Sequence, residues 1–130
     1  MISPERYQPV THHRQWGEEI FIAESPAYLG KILRMRKGTK GGLQKHVEKD
    51  EAFHLWFGKA LVRSDDGSGR LQSIEMHPGE TYRIPPGAVH QVIALEDSVF
   101  FEVSTAVYDD RVRMEGVYGE PEGGGLPTTR

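Results

Sequence analysis

Residues 43–51 read LQKHVEKDE and combine one histidine, one amide and three carboxylates. Imidazole, carboxylate and amide groups can all bind a divalent metal ion. The chain contains no cysteine, so disulfides and thiolate metal sites are excluded. The same residues also suit a solvated loop, because runs of charge in loops usually face water. Glu48, Lys49 and Asp50 are predicted to form a solvent-facing bend between two strands.

Strand alternation predicts which of these side chains can converge. Residues two apart on an extended strand share a face, so Gln44 and His46 are expected to point the same way. Glu51 begins a second set that shares its face with the apolar residues at 53, 55 and 57. His54 and Trp56 take the opposite face and are expected to lie outside the core or against a second subunit. The candidate site therefore lies among apolar neighbours.

Short β-rich runs separated by turns must position these side chains. The runs cover residues 19–23, 29–35, 51–57, 60–63, 71–76, 81–84 and 99–104, and His90 begins another. Glycine and proline punctuate them, as in DDGSG at 65–69 and PPG at 85–87. No helical period is sustained, apart from a turn expected near residues 108–113. This spacing predicts an all-β sandwich or barrel.

Length and charge limit the organisation and the partners. A chain of 130 residues predicts one compact domain, expected over residues 1–118 with an N-terminal arm at about 1–18. Residues 119–130 are expected to form a flexible tail. A net charge of -3 gives no basic field for nucleic acid. That charge predicts a small-molecule partner. The first ten residues hold no apolar run typical of a signal peptide or membrane span, which predicts a cytoplasmic protein.

A second segment carries a recognisable motif. Residues 78–90 read PGETYRIPPGAVH and are similar to the second cupin motif, whose positions are matched by Pro78, Gly79, Pro85, Gly87 and His90. The usual terminal asparagine is replaced by Ala94. The first cupin motif fits Glu51 and Gly58, with His46 as its second histidine and Gln44 replacing its first. The chain thus resembles the cupin superfamily, which implies a single-domain cupin, a double-stranded β-helix or jelly-roll barrel.

One cupin branch has further similarity to this sequence. The cupin domain of type II mannose-6-phosphate isomerases, often fused to mannose-1-phosphate guanylyltransferase, commonly has glutamine at the position of Gln44. The resemblance extends to RQWG at 14–17, to Lys31 and to STAVYDDRVRMEGVYG at 104–119, and covers nearly all of residues 14–119. Two departures are the VEK at 47–49, where the branch is histidine-rich, and the lack of a guanylyltransferase domain. Nucleotidyl transfer is therefore not implied.

The resemblance implies one divalent metal ion per chain, held by Gln44, His46, Glu51 and His90. Inward side chains of neighbouring strands converge in a small β-barrel. A mixed nitrogen and oxygen set suits zinc, manganese, iron, nickel or copper and leaves positions open for substrate. The alternative is a degenerate cupin in which Gln44 only hydrogen-bonds inside the barrel.

The branch also implies a reaction, the interconversion of mannose 6-phosphate and fructose 6-phosphate. This aldose–ketose isomerisation passes through a metal-stabilised enediolate, with Glu51 as a candidate base. Lys31, Lys49 and Arg113 are the cations expected at the barrel mouth for the phosphate, and solvated surface charge explains them equally well. A non-haem metal dioxygenase and a non-catalytic sugar-binding cupin remain alternatives, because one fold hosts unrelated reactions.

The remaining predictions concern the other histidines and the assembly. His12 and His13 are expected to precede the first strand and to be exposed, and His77 to lie in a turn. Cupins often pair through sheet edges, so a homodimer is expected. The face that carries His54 and Trp56 would form its contact.

Overall fold

A computed structural model describes residues 2–122 as two antiparallel sheets. The first sheet has six strands, in the spatial order β1 (Val10–Arg14), β2 (Gly17–Glu24), β3 (Tyr28–Met35), β10 (Ser98–Thr105), β5 (Glu51–Phe57) and β8 (Thr81–Ile84). The second has five, in the order β11 (Arg111–Arg113), β4 (Gln44–His46), β9 (His90–Ala94), β6 (Ala60–Asp65) and β7 (Leu71–Met76). One 3-10 helix, Glu115–Tyr118, follows β11. The predicted all-β fold is confirmed.

The core forms between the two sheets. Alternate residues of β5 face inward, and Phe53 packs edge-on against Phe100 of β10 with ring centroids 5.8 Å apart. Val62 and Ala94 contribute from the second sheet. Burial of a large apolar side chain stabilises the fold by about 1.5–3 kcal/mol, so this cluster holds the two sheets together.

The helical turn expected near residues 108–113 is wrong. Arg111–Arg113 form the edge strand β11, which pairs with Gln44–His46 of β4. The hydrogen bonds of this pairing outweigh the weak local preference of the segment. The short helix begins later, at Glu115, and ends where Gly119 adopts a left-handed conformation with φ 70°.

The N-terminal part of the described chain differs from expectation. His12 and His13 lie in β1, which pairs along β2, and not ahead of the first strand. His12 is half-buried with its ring 5.4 Å from that of Phe21, whereas His13 is exposed. Glu120, in the segment expected to be a flexible tail, accepts a hydrogen bond of 2.9 Å from Arg63. The rest of that prediction, residues 123–130, lies outside the described residues.

Among residues 2–122, no helix is long and apolar enough to cross a membrane.

Candidate metal centre

Three buried side chains from three strands converge between the sheets. His46 ends β4, Glu51 begins β5 and His90 begins β9. One candidate ligand atom of each lies within 4.8 Å of the other two. Glu51 Oε1 lies 3.6 Å from His46 Nε2 and 3.1 Å from His90 Nε2. The structure thus brings together three of the four predicted ligands, although His90 is far in sequence from His46 and Glu51.

Each imidazole is oriented through its other ring nitrogen. His46 Nδ1 lies 2.8 Å from Asp110 Oδ1, and His90 Nδ1 lies 3.0 Å from the carbonyl oxygen of Ala88. A carbonyl oxygen only accepts hydrogen bonds, so His90 donates from Nδ1, and its Nε2 faces Glu51 Oε1 and would have to lose its proton to bind a metal ion. Second partners of this kind are typical of metal-binding histidines. The two Nε2 atoms and the Glu51 carboxylate could therefore hold a metal ion.

Gln44 lies beside these three residues. It is the cross-strand partner of His90 and lines the same cavity. Its amide oxygen accepts a hydrogen bond of 3.3 Å from Arg111 Nη1. Arg111 was not among the predicted site residues. Burial, and then the neighbouring charge of Arg113, lower the pKa of its guanidinium.

Electrostatic interactions keep the Glu51 carboxylate ionised. Burial opposes its ionisation, but the contact with His90 and the charges of Lys49 and both histidines outweigh burial and lower its pKa to about 2. Burial lowers the pKa of His46 despite the nearby carboxylates. For His90, burial is likewise the largest single effect, but the contact with Glu51 outweighs it and raises the pKa. The carboxylate is thus the permanently charged member of the cluster.

The two predicted lysines lie inside the barrel. Lys31 and Lys49 are each 1% exposed, so the prediction that Lys49 faces solvent and the mouth location of both are wrong. Lys49 Nζ lies 3.4 Å from Glu51 Oε2 and 3.8 Å from Glu102 Oε2. Lys31 Nζ lies 3.2 Å from Glu19 Oε2 and 3.1 Å from Glu102 Oε2. Both ammonium groups are buried, and ion pairs with inward-facing carboxylates offset the loss of their contact with water.

Arg113 stands apart from the cavity. It pairs in register with Gln44 but does not line the cavity with it. Its Nη2 lies 2.8 Å from Glu115 Oε2. Glu48 is exposed and Asp50 half-buried, as a bend at the surface requires. A phosphate-binding role of Arg113 stays a prediction.

The cavity next to the three ligands has a volume of about 100 Å³. Its apolar lining consists of Trp16, Leu33, Met35, Phe53, Val92 and Phe100. Its polar side chains are Glu19, Gln44, His46, Glu51, His90 and Glu102. Glu19 and Glu102 were not predicted to line the site, although strand alternation places both on the inward face of their strands. Each lies two residues from a buried phenylalanine and therefore on the inward face.

Solved structures supply the comparison for this arrangement. KdgF from Halomonas sp. is similar with a TM-score of 0.63 and 20% identity, over 72% of this chain and 81% of that chain. A cupin-2 domain containing protein from Shewanella frigidimarina is similar with a TM-score of 0.55 and 23% identity, over 78% and 82% of the two chains. The chain has the cupin fold.

The chain also matches part of a larger protein. The capsular polysaccharide assembling protein CapF from Staphylococcus aureus has a TM-score of 0.70 at 18% identity, over 83% of this chain. The match spans about a third of CapF, 34% of that chain. No family model and no curated protein matches the sequence. At these identities the likenesses establish the fold and leave the substrate to be argued from the site.

Proposed function

We propose that this cupin is a metal-dependent sugar-phosphate isomerase that interconverts mannose 6-phosphate and fructose 6-phosphate. The observation that carries the proposal is the convergence of His46, Glu51 and His90 beside a cavity with further carboxylates. The sequence resemblance to the cupin domain of type II mannose-6-phosphate isomerases supports the choice of reaction. Phosphorylated sugars are cytoplasmic metabolites, so we propose a cytoplasmic location.

The residues have separate roles in this proposal. His46, Glu51 and His90 hold the ion. Gln44 becomes a fourth ligand if its amide oxygen gives up the hydrogen bond from Arg111 and binds the metal instead. A bound divalent ion supplies Lewis-acid polarisation of the sugar carbonyl. Asp110 and Ala88 keep both Nε2 atoms turned toward the site.

The proposed role of Glu51 as base is weakened by its environment. Proton transfer is most efficient when the pKa of the base lies near the working pH, and its pKa of about 2 makes Glu51 a weak base. The variant Glu51→Gln distinguishes the two roles. Loss of metal identifies Glu51 as a ligand, whereas retained metal with lost turnover identifies it as the base.

The phosphate contacts need revision in the same proposal. Lys31 and Lys49 are better placed to hold Glu19, Glu51 and Glu102 than to reach a phosphate outside the cavity. Arg113 stays the proposed phosphate contact, because β11 is an edge strand beside the ligand strand β4. The small cavity then receives only the reacting end of the sugar.

The test combines metal content with turnover. Purified protein, incubated in turn with manganese, iron, nickel and zinc, is analysed by plasma mass spectrometry and assayed for conversion of mannose 6-phosphate. We expect near-stoichiometric metal and turnover. His90→Ala should remove the metal and leave the fold, whereas His77→Ala, at an exposed turn, should change neither. Unchanged metal content in His90→Ala would place the site elsewhere.

A second candidate function rests on the same three residues. Two histidines and one carboxylate with open positions are also the ligand set of non-haem iron oxygenases. Metal without isomerase turnover, together with oxygen consumption that requires ferrous iron, would favour this alternative. Absence of metal under every loading condition would favour a non-catalytic sugar-binding cupin.

A further inference from the structure

The cavity has a second acidic wall that the metal ligands do not account for. Glu19 of β2 and Glu102 of β10 line it, and each residue is more than nine-tenths buried. Glu102 shares the inward face of its sheet with Glu51, since it pairs with Phe53 while Ser104 pairs with Glu51. A ligand held at the three metal-binding residues would therefore also meet these two carboxylates.

The charges that balance this wall lie outside the cavity lining. Arg14 Nη2 lies 2.7 Å from Glu19 Oε1, and Lys31 Nζ lies within 3.2 Å of both carboxylates. Lys49 Nζ lies 3.8 Å from Glu102 Oε2. No lysine or arginine is among the described residues that line the cavity. The cations thus pair with these carboxylates from outside the lining, and the lining itself presents mainly hydrogen-bond acceptors.

Glu102 also has unused capacity to accept hydrogen bonds. Its Oε2 is buried and makes no hydrogen bond with the described residues. The Lys31 ammonium lies 3.1 Å and the Lys49 ammonium 3.8 Å from this oxygen as ion-pair partners, and an oxygen with two lone pairs can still accept from a ligand. Buried carboxylate oxygens normally have donors, and an unmatched one is a site at which a ligand donor gains binding free energy.

We infer that Glu19 and Glu102 bind hydroxyl groups of a polyhydroxy ligand and disfavour ligands that bring a carboxylate into the cavity. A hydroxyl group donates to such an oxygen, whereas a ligand carboxylate has no proton to donate and is repelled. The aromatic rings of Trp16, Phe53 and Phe100 offer apolar surface to the C–H groups of a sugar. The inference rests on the proposed function, which places a sugar in this cavity.

The test measures ligand binding without turnover. Protein loaded with Mn²⁺ is titrated with D-mannose and, separately, with oxalate, and water-proton relaxation reports displacement of water from the ion. The variant is Glu102→Gln, which keeps the side-chain shape and removes its charge. Glu96→Gln, at an exposed position, is the matched control. Metal content and thermal melting are recorded for every variant.

We expect Glu102→Gln to weaken D-mannose binding at least tenfold and to tighten oxalate binding at least tenfold, with Glu96→Gln unchanged. Shifts below twofold for both ligands, or shifts in the same direction, would overturn the inference. If Glu102→Gln does not fold, Glu19→Gln replaces it, and we again expect weaker D-mannose binding and tighter oxalate binding. A protein that isomerises mannose 6-phosphate but shows no opposite shifts would keep the proposed function and lose this inference. Opposite shifts in a protein that does not isomerise mannose 6-phosphate would keep this inference about Glu19 and Glu102 and reject the proposed function.

Discussion

Asp110 connects three parts of the candidate metal centre. Its Oδ1 lies 2.8 Å from His46 Nδ1, and its Oδ2 accepts hydrogen bonds from the backbone N–H groups of Glu48 and Lys49 at 2.6 and 2.9 Å. One carboxylate thereby orients the imidazole and fixes the bend after β4. Burial opposes ionisation of Asp110, but these hydrogen bonds outweigh it and lower its pKa.

We expect Asp110→Ala to lower metal affinity by roughly 10–100-fold, the usual effect of losing the partner that orients a metal-binding histidine. The neighbouring Asp109→Ala, at an exposed position, is the control and should leave the affinity unchanged. Competition with a chromophoric chelator measures both affinities. Equal affinities in the two variants would show that His46 does not need its partner.

Lys31 supplies a prediction for the pH dependence of stability. Burial acts to lower its pKa, but the charges of Glu102 and Glu19 outweigh burial and raise the pKa above 10.5. A group whose pKa is raised on folding stabilises the fold fully below its unfolded value and loses that contribution as pH rises through the folded value. The stabilisation is therefore complete below pH 10.5 and declines above it.

The variant Lys31→Met leaves two buried carboxylates without their shared cation, which typically costs about 3–5 kcal/mol. Urea denaturation at neutral pH and in steps through pH 10.5 compares it with the unaltered protein. We expect a constant difference in unfolding free energy up to that pH and a shrinking one above it. Lys37→Met, at an exposed position, should show neither effect. A difference that shrinks well below pH 10.5 would mean that burial lowers the pKa instead.

At the scale of the elements, predictability followed strand length and alternation. The seven-residue β5 was predicted because its apolar residues alternate, and the turn residues before His90 marked the start of β9. The three-residue strand β4 was expected from the shared face of Gln44 and His46, but β11 was expected as a helical turn, because its pairing with β4 depends on contacts between segments far apart in the chain. The burial of Lys49 escaped prediction for the same reason. Its nearer partner, Glu51, is local, but the second partner, Glu102, comes from a distant strand, and a local run of charge gives no sign of it.

Gly58, between β5 and β6, permits a comparison at this scale. It has φ +98°, and a Cβ there would lie 2.4 Å from the carbonyl oxygen of Asp97. Gly67, between β6 and β7, has φ +102° with nothing within 4 Å of a Cβ. Both positions therefore resist an L side chain through backbone conformation, but only Gly58 also lacks space.

We expect Gly67→Ala to cost about 1–2 kcal/mol through backbone strain alone. Gly58→Ala should cost about 1–3 kcal/mol more, the usual range for overpacking. Chemical denaturation of both variants gives the difference. Similar costs would show that the loop around Asp97 moves aside without loss.

On the scale of the whole molecule, the outer face of the six-stranded sheet exposes several apolar side chains. Trp56 and Val103 are 64% and 62% exposed, and the Trp56 ring lies 5.6 Å from that of Phe101. Phe101 pairs with His54, so the four side chains share the outward face of β5 and β10. Contiguous exposed apolar surface of this kind is typical of a protein interface.

We therefore propose a homodimer formed through this face. A specific interface buries about 800 Å² on each partner, roughly a tenth of the 7627 Å² surface of one chain.

Light scattering coupled to size exclusion should give twice the mass of one chain for the unaltered protein and the single mass for Trp56→Glu. Val117→Glu adds the same charge at a position 70% exposed in the 3-10 helix and should leave the dimer intact. A single-chain mass for the unaltered protein, or a dimer that survives Trp56→Glu, would contradict an interface at this face. The metal site should be unaffected in either case, because its ligands lie on the opposite, inward face of the same sheet and on the second sheet.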